Sequence, residues 1–233
     1  MCGRFTLSAP AEVISMCFDI ETDSFNYLPA FNIAPTQNVL TVRNRGNSRQ
    51  AQTMRWGLIP FWAKEAKMGN KMINARSETV IENKVFKTSF QKRRCLILAD
   101  SFYEWVRVSK FKQPIRILLD SEKPFAFAGI WESWKDPNNP NSETVESCSI
   151  ITTRANTLIQ PIHDRMPVIL PRELESDWLD LDNTDTGFLR EIMIPFDPVL
   201  MKCYPVSQAV NSTKNEGKDL IEPIIQQSLF DAS

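Results

Sequence analysis

RRCLILADSFYEW, residues 93–105, sets the class of the fold. Its first part, residues 95–99, is a short apolar run of the length of a buried strand. Its second part alternates, so that Tyr103 and Trp105 would share an inward face and Glu104 would point to solvent. Runs rich in β-branched and aromatic residues recur at 39–42, 53–56, 115–119, 125–131, 149–152 and 168–170. Helical patterns are few. Residues 10–18 follow Ser8 as a candidate cap, residues 78–90 place Ile81, Val85 and Phe86 on one face, and residues 172–181 follow Pro171. The mixture predicts an α+β fold, mainly an antiparallel, barrel-like sheet with a few peripheral helices. Residues 134–144 and 44–50 read as polar loops too short to be linkers, and no internal repeat is present. The expected organisation is one domain over residues 1–223 and a short tail over 224–233.

The chain has 233 residues, 42% of them apolar, enough for a sizeable core. No run reaches the roughly 18 apolar residues that span a bilayer, and MCGRFTLSAP lacks the apolar stretch of a secretory signal, so the expected compartment is the cytoplasm. Five widely spaced cysteines without a Cys-x-x-Cys pair suggest neither disulfides nor a zinc knuckle. With one histidine, no EF-hand spacing and no glycine-rich phosphate loop, no metal and no cofactor are expected. The net charge of −1 conceals a split. Residues 1–116 carry 18 Lys and Arg against 9 Asp and Glu, and residues 117–233 carry 9 against 19. Such a basic half is one footprint of a surface that binds phosphates, although the halves can equally neutralise each other across one folded surface.

Five places are candidates for chemistry or binding. Removal of Met1 would leave Cys2 with both an amine and a thiol, a 1,2-aminothiol that captures aldehydes as an imine and then closes a thiazolidine ring. The two groups ordinarily titrate near ~8 and ~8.5, close enough to neutrality to react. His163 lies in a polar stretch before an apolar run, where it can meet a substrate. Glu104, flanked by Phe102, Tyr103, Trp105 and Val106, is a candidate general acid or base if its surroundings are dry. Asn74, Arg76 and Glu78 read as the entrance of a helix, where a phosphate can be held. In WGLIPFWAKEAK, the aromatic residues Trp56, Phe61 and Trp62 precede Lys64 and Lys67, an arrangement suited to single-stranded nucleic acid as well as to a core. Each feature alone has an ordinary structural explanation.

Taken in order, MCGRF (1–5), FNIAPTQ (31–37), RWGLIPFW (55–62), INARSET (73–79), RRCLILADSFYEW (93–105), FAGIW (127–131), HDRMPVIL (163–170) and VSQAVNS (206–212) resemble the SRAP family, the SOS-response-associated peptidase proteins. The resemblance implies a single SRAP domain that senses abasic sites in single-stranded DNA, with Cys2, Asn74, Glu104 and His163 as the reacting cluster. The resemblance further implies a thiazolidine DNA–protein crosslink through Cys2, an imine branch that allows lyase cleavage, and autocatalytic removal of Met1. Arg4, Arg76, Arg165 and, more weakly, Lys84 are implied as DNA-binding phosphate contacts, and Pro35 and Trp62 as a wedge between bases. The segment AKEAKMGNKMI (63–73) departs from some relatives by being longer and richer in lysine. In the tail, Gln226, Leu229 and Phe230 resemble a Gln-x-x-Leu-Phe peptide that docks on replication sliding clamps. Two other readings stay open: a cysteine-type peptidase using Cys2 and His163, and a noncatalytic single-stranded DNA-binding module. Action as a monomer is the default.

Overall fold

The computed structural model describes residues 2–22, 25–46, 48–108, 111–139 and 141–224. In chain order the first strands are β1 (Phe5–Leu7), β2 (Ala30–Ile33), β3 (Asn38–Arg45), β4 (Ser48–Trp56), β5 (Asn74–Arg76) and β6 (Arg94–Ala99). They are followed by β7 (Ser101–Val108), β8 (Phe111–Leu119), β9 (Phe125–Trp134), β10 (Val145–Arg154), β11 (Arg165–Pro167), β12 (Ile169–Leu170) and β13 (Met201–Pro205). The helices are short: α1 (Ala11–Phe18), α2 (Lys87–Lys92), α3 (Glu175–Leu179) and α4 (Thr186–Glu191). The expected α+β class with a dominant sheet is what the chain adopts. The barrel is real: β10 pairs with β4, β4 with β3, β3 with β6, β6 with β9, and β9 returns to β10. Closure leaves these strands without free edges.

A second sheet, entirely antiparallel, has the order β13-β8-β7-β1-β2. Its side chains meet the barrel through aromatic rings. Phe5 of β1 stands edge-on to Trp56 at 5.0 Å and to Phe127 at 5.7 Å, and Phe102 of β7 meets Phe127 at 6.0 Å. Phe5, Trp56, Phe102 and Phe127 are all fully buried. Edge-to-face pairs of this kind add about 0.5–1.5 kcal/mol each beyond area burial.

Several local expectations are corrected. Residues 78–86 form successive turns, and only Lys87–Lys92 is helical, so Asn74 and Arg76 stand on strand β5 and not at a helix entrance. Ser8 does not cap α1: its backbone N–H and its hydroxyl both donate to Asp100 Oδ2, at 2.5 and 2.8 Å. Most of residues 44–50 belongs to a hairpin, because β3 and β4 pair as far as Arg45 and Ser48. Strand β10 also runs parallel to β4 and β5, so the barrel sheet is mixed.

Strand β9 is the seam of the barrel, pairing with β6 on one side and β10 on the other. Within it a Cβ at Gly129 would lie 2.8 Å from Ile97 Cγ1 and 2.9 Å from Cys95 Sγ, closer than packed atoms approach. Gly129→Ala is therefore expected to destabilise the protein by about 1–3 kcal/mol. A urea titration checks this, and an unchanged midpoint would mean that the interior at this seam is looser than its distances imply.

Candidate active site at the junction of the two sheets

The start of the chain is held as an inner strand. β1 pairs with β7 on one side and β2 on the other, with Phe5 opposite Phe102 and Thr6 opposite Ser101. The Tyr103 N–H donates to the Arg4 carbonyl at 2.9 Å and continues the register toward the N-terminus. Residues 2–4 thereby run beside Tyr103–Trp105, which sets Glu104 next to Cys2. Strand β5 approaches from the barrel side, where Asn74 is opposite Ile150 and Arg76 opposite Thr152 of β10. The two sheets are tied together by the Asn74 side-chain amide, which donates to the Cys2 carbonyl at 2.8 Å. Asn74 is itself placed by the core: the Trp56 indole N–H donates to the carbonyl of the preceding residue, Ile73, at 2.9 Å.

Cys2 is fully buried, and its thiol contacts the Arg4 carbonyl at 3.9 Å. Burial, and secondarily the charge of Glu104, push the thiol well above its ordinary range, so the sulfur is a neutral S–H. Glu104 is 4% exposed. Its carboxyl is also pushed up, chiefly by burial, with the nearby His163 imidazole opposing the shift. The alternation within residues 101–106 suggested a solvent-facing Glu104. That expectation fails because both faces of β7 are covered here, leaving residues 101–104 all buried.

Glu104 and His163 line one cavity of about 450 Å³ with Trp105, Arg107, Lys112 and Asn211. His163 precedes β11, and its side chain is 30% exposed. Its Nδ1 lies 2.9 Å from the Arg165 backbone N–H and 2.8 Å from Asp164 Oδ1. One nitrogen cannot accept from the first and donate to the second. A peptide N–H only donates, so Nδ1 is the acceptor in the Arg165 contact. The sequence patterns did not single out Arg107, Lys112 and Asn211. The register of β7 and β8 sets Arg107 opposite Lys112, and Trp105 donates its indole N–H to Asn211 Oδ1 at 2.7 Å. Asn211 sits inside the VSQAVNS stretch, which was a legible signal. Among the described residues, no group of three or more His, Cys, Asp or Glu is arranged to hold a metal.

The arginines differ in how freely they are presented. Arg4 is 9% exposed, and one of its terminal nitrogens donates to Asn32 Oδ1 and to the Val210 carbonyl, each at 2.7 Å. Arg165 forms a two-pronged pair with Glu78 at 2.6 and 2.9 Å and also reaches the Thr152 carbonyl at 2.6 Å. The hydrogen bond from Arg165 holds the Glu78 carboxyl below its usual range. Arg76 and Lys84 are exposed, Pro35 is half-buried, and Trp62 is 50% exposed while Trp56 is core. Gln226, Leu229 and Phe230 lie outside the described residues.

The raised Glu104 pKa fixes the sign of a stability effect. A carboxyl whose folded value exceeds its unfolded one destabilises the fold as it ionises, so the cost grows as pH rises through and above the unfolded value of ~4.3. Thermal melts of Glu104→Gln and the parent are expected to diverge in favour of the variant as pH rises above about 4. A difference in melting temperature that does not change with pH would contradict the burial-driven shift.

Comparison with known proteins places this arrangement. Residues 1–213 match the family model described as SOS response associated peptidase (SRAP). The abasic site processing protein YoqW of Bacillus subtilis (strain 168) is 48% identical over 227 residues, spanning 95% of this chain and 99% of the relative. The abasic site processing protein HMCES of Xenopus tropicalis is 31% identical over 268 residues, spanning 97% of this chain and 79% of the relative. A crystal structure of a Bacteroides thetaiotaomicron protein superposes with a TM-score of 0.83 at 25% identity, covering 96% of this chain and all of that one. A closed barrel joined to an antiparallel sheet, with Cys2, Asn74 and Glu104 gathered at their junction, is thus the form this sequence gives to a shared architecture, and the chain belongs to the SRAP family.

Proposed function

We propose that this protein recognises abasic sites in single-stranded DNA and bonds to them through Cys2 after Met1 has been removed. The observation that carries the reading is the clamped Cys2: its carbonyl is held by Asn74, and Glu104 beside it shares a cavity with His163. The names of the relatives, abasic site processing proteins, supply the substrate class.

The chemistry follows from the groups at hand. In the translated chain the Cys2 nitrogen is a peptide nitrogen, and removal of Met1 turns it into an amine. An abasic sugar in its open form offers an aldehyde at C1′. The amine attacks this carbon and water leaves, giving an imine. The sulfur then adds to the same carbon and its proton passes to the nitrogen, closing a thiazolidine. Because burial keeps the thiol neutral, the amine makes the first bond and the sulfur closes the ring as an S–H. Glu104, with its pKa moved toward neutrality, serves as the proton carrier for sugar opening and for loss of water. His163 donates from Nε2 to a sugar oxygen. If the imine loses its C2′ proton before the sulfur closes, the 3′ phosphate is eliminated, which is a lyase reaction at the same centre. Asn74 keeps Cys2 aligned throughout.

The exposed Arg76 and Lys84 meet the DNA phosphates, Arg165 joins them when a phosphate displaces Glu78, and Arg4 anchors the strand that carries Cys2. Pro35 and Trp62 stand as the wedge between neighbouring bases. The tail residues Gln226, Leu229 and Phe230 would bring the protein to the replication clamp, a reading that rests on sequence alone.

Incubating the Met1-processed protein with a single-stranded oligonucleotide containing one abasic site is expected to give a band that survives denaturing electrophoresis. Cys2→Ala abolishes it while salt-sensitive binding persists, and Asn74→Ala slows its formation by about tenfold or more, as expected when a positioning hydrogen bond is removed. Absence of the band with processed parent protein would overturn the proposal, and turnover of a peptide substrate would redirect it to peptidase chemistry.

A further inference from the structure

The cavity beside Cys2 carries two cations that no step of the chemistry above uses. Strand β7 passes from Glu104 to Arg107 in three residues, at most about 11 Å of chain. The antiparallel register sets Arg107 directly opposite Lys112 of β8. Both side chains are exposed, and both line the cavity of about 450 Å³ that Glu104 and His163 share.

Like charges facing each other on neighbouring strands repel and weaken the pairing, so an anion between them would relieve a cost that the fold otherwise bears. The protein supplies no such anion: among the described residues, no carboxylate pairs with Arg107 or Lys112, and neither makes a side-chain hydrogen bond. Arg116 of β8, by contrast, is fully engaged, donating to Ser101 Oγ at 2.8 Å and to Tyr204 Oη at 2.6 Å. The one carboxyl lining the cavity is Glu104, which burial moves toward its neutral form, so it offsets the two cations only weakly. The pair also stands apart from the arginines of the barrel. Arg76 and Arg165 lie on β5 and β11, both joined to β10, whereas Arg107 and Lys112 belong to the smaller sheet.

We infer that Arg107 and Lys112 form a subsite for the phosphodiester adjoining the abasic sugar on the side of the smaller sheet, so that the strand crosses the junction with one phosphate held from each sheet. The inference rests on the reading that the protein engages abasic single-stranded DNA. A phosphodiester is favoured because the cavity needs an anion and also has to leave Glu104 and His163 to the reacting sugar. A phosphate attached to that sugar meets both conditions at once. Holding the strand on either side of the lesion fixes the orientation of C1′ toward residue 2. Arg107 and Lys112 are thus positioning residues that act on the sugar through its phosphate and touch none of the reacting atoms.

The test uses single-stranded oligonucleotides with a tetrahydrofuran abasic analogue, which has no aldehyde and so reports binding without crosslinking. An uncharged methylphosphonate replaces the phosphate immediately 5′ of the analogue in one and immediately 3′ in another. The protein variant combines Arg107→Gln with Lys112→Gln, which removes exposed like charges and so does not put the fold at risk. Toward the fully charged oligonucleotide it is expected to bind about tenfold more weakly than the parent, the scale of a lost charge-assisted contact. Its slope of log affinity against log salt falls by about 0.7, the value for one phosphate no longer neutralised. At one placement the methylphosphonate weakens the parent about tenfold yet costs the variant little more, because both changes remove the same contact; at the other placement the two losses add. A variant with the parent's affinity and salt slope overturns the subsite. So do losses that add at both placements, since the cations then attract DNA without holding either phosphate. A parent that crosslinks a true abasic site while either of those results is obtained leaves the Cys2 chemistry standing and removes only the subsite. Coupling at one phosphate without crosslinking by the Met1-processed parent does the reverse.

Discussion

The placement of β1 between β7 and β2 governs the rest of the site. The first residues of a chain ordinarily fray, because nothing offsets the entropy of ordering them. Here the Tyr103 N–H bond to the Arg4 carbonyl, the Thr6–Ser101 pairing and the return pairing with Ile33 hold them as an interior strand. Phe5 then anchors that strand to the barrel through Trp56 and Phe127. The same Trp56 holds the carbonyl of Ile73, so one buried ring connects the strand that carries Cys2 to the strand that carries Asn74. Geometry at residue 2 is set by the hydrophobic core and not by a flexible arm.

This construction has an electrostatic cost. Cys2 and Glu104 both sit where their charged forms are disfavoured, and the charge of Glu104 makes ionisation of Cys2 harder still. Burial at this site shifts both groups toward their protonated forms. The cations lie at its mouth, where Arg107 and Lys112 stand across from each other on the rim of the cavity. Their charge makes the cavity attractive to anions.

Much of the architecture was legible in the sequence because strands announce themselves locally: the runs at 95–99, 125–131 and 149–152 all fall within β6, β9 and β10. The supposed helix at 78–90 misled because Ile81, Val85 and Phe86 have helical spacing, yet the chain meets Arg165 through Glu78 in a series of turns and becomes helical only at Lys87. Glu104 was found by its apolar neighbours and then misjudged by alternation, which assumes one wet face; β7 has none at that point. The rest depended on distant partners. Nothing near Arg4 in sequence indicates that Asn32 and Val210 engage it, and nothing near Arg107 indicates that Asn211 shares its cavity. Parallel pairing of β10 with β4 and β5 is likewise a property of closure that no local pattern encodes.

The interior position of β1 has a mechanical consequence. A load applied to the protein through residue 2 pulls β1 along its own axis, past β7 on one side and β2 on the other. The bonds on both sides then resist in shear and must fail together, instead of opening one at a time as they would at a sheet edge. The buried ring of Phe5 adds to that resistance, because sliding the strand draws the ring out of its aromatic contacts. Whatever becomes attached at residue 2 is fastened to an interior strand, and dragging it free requires β1 to slide out from between β7 and β2.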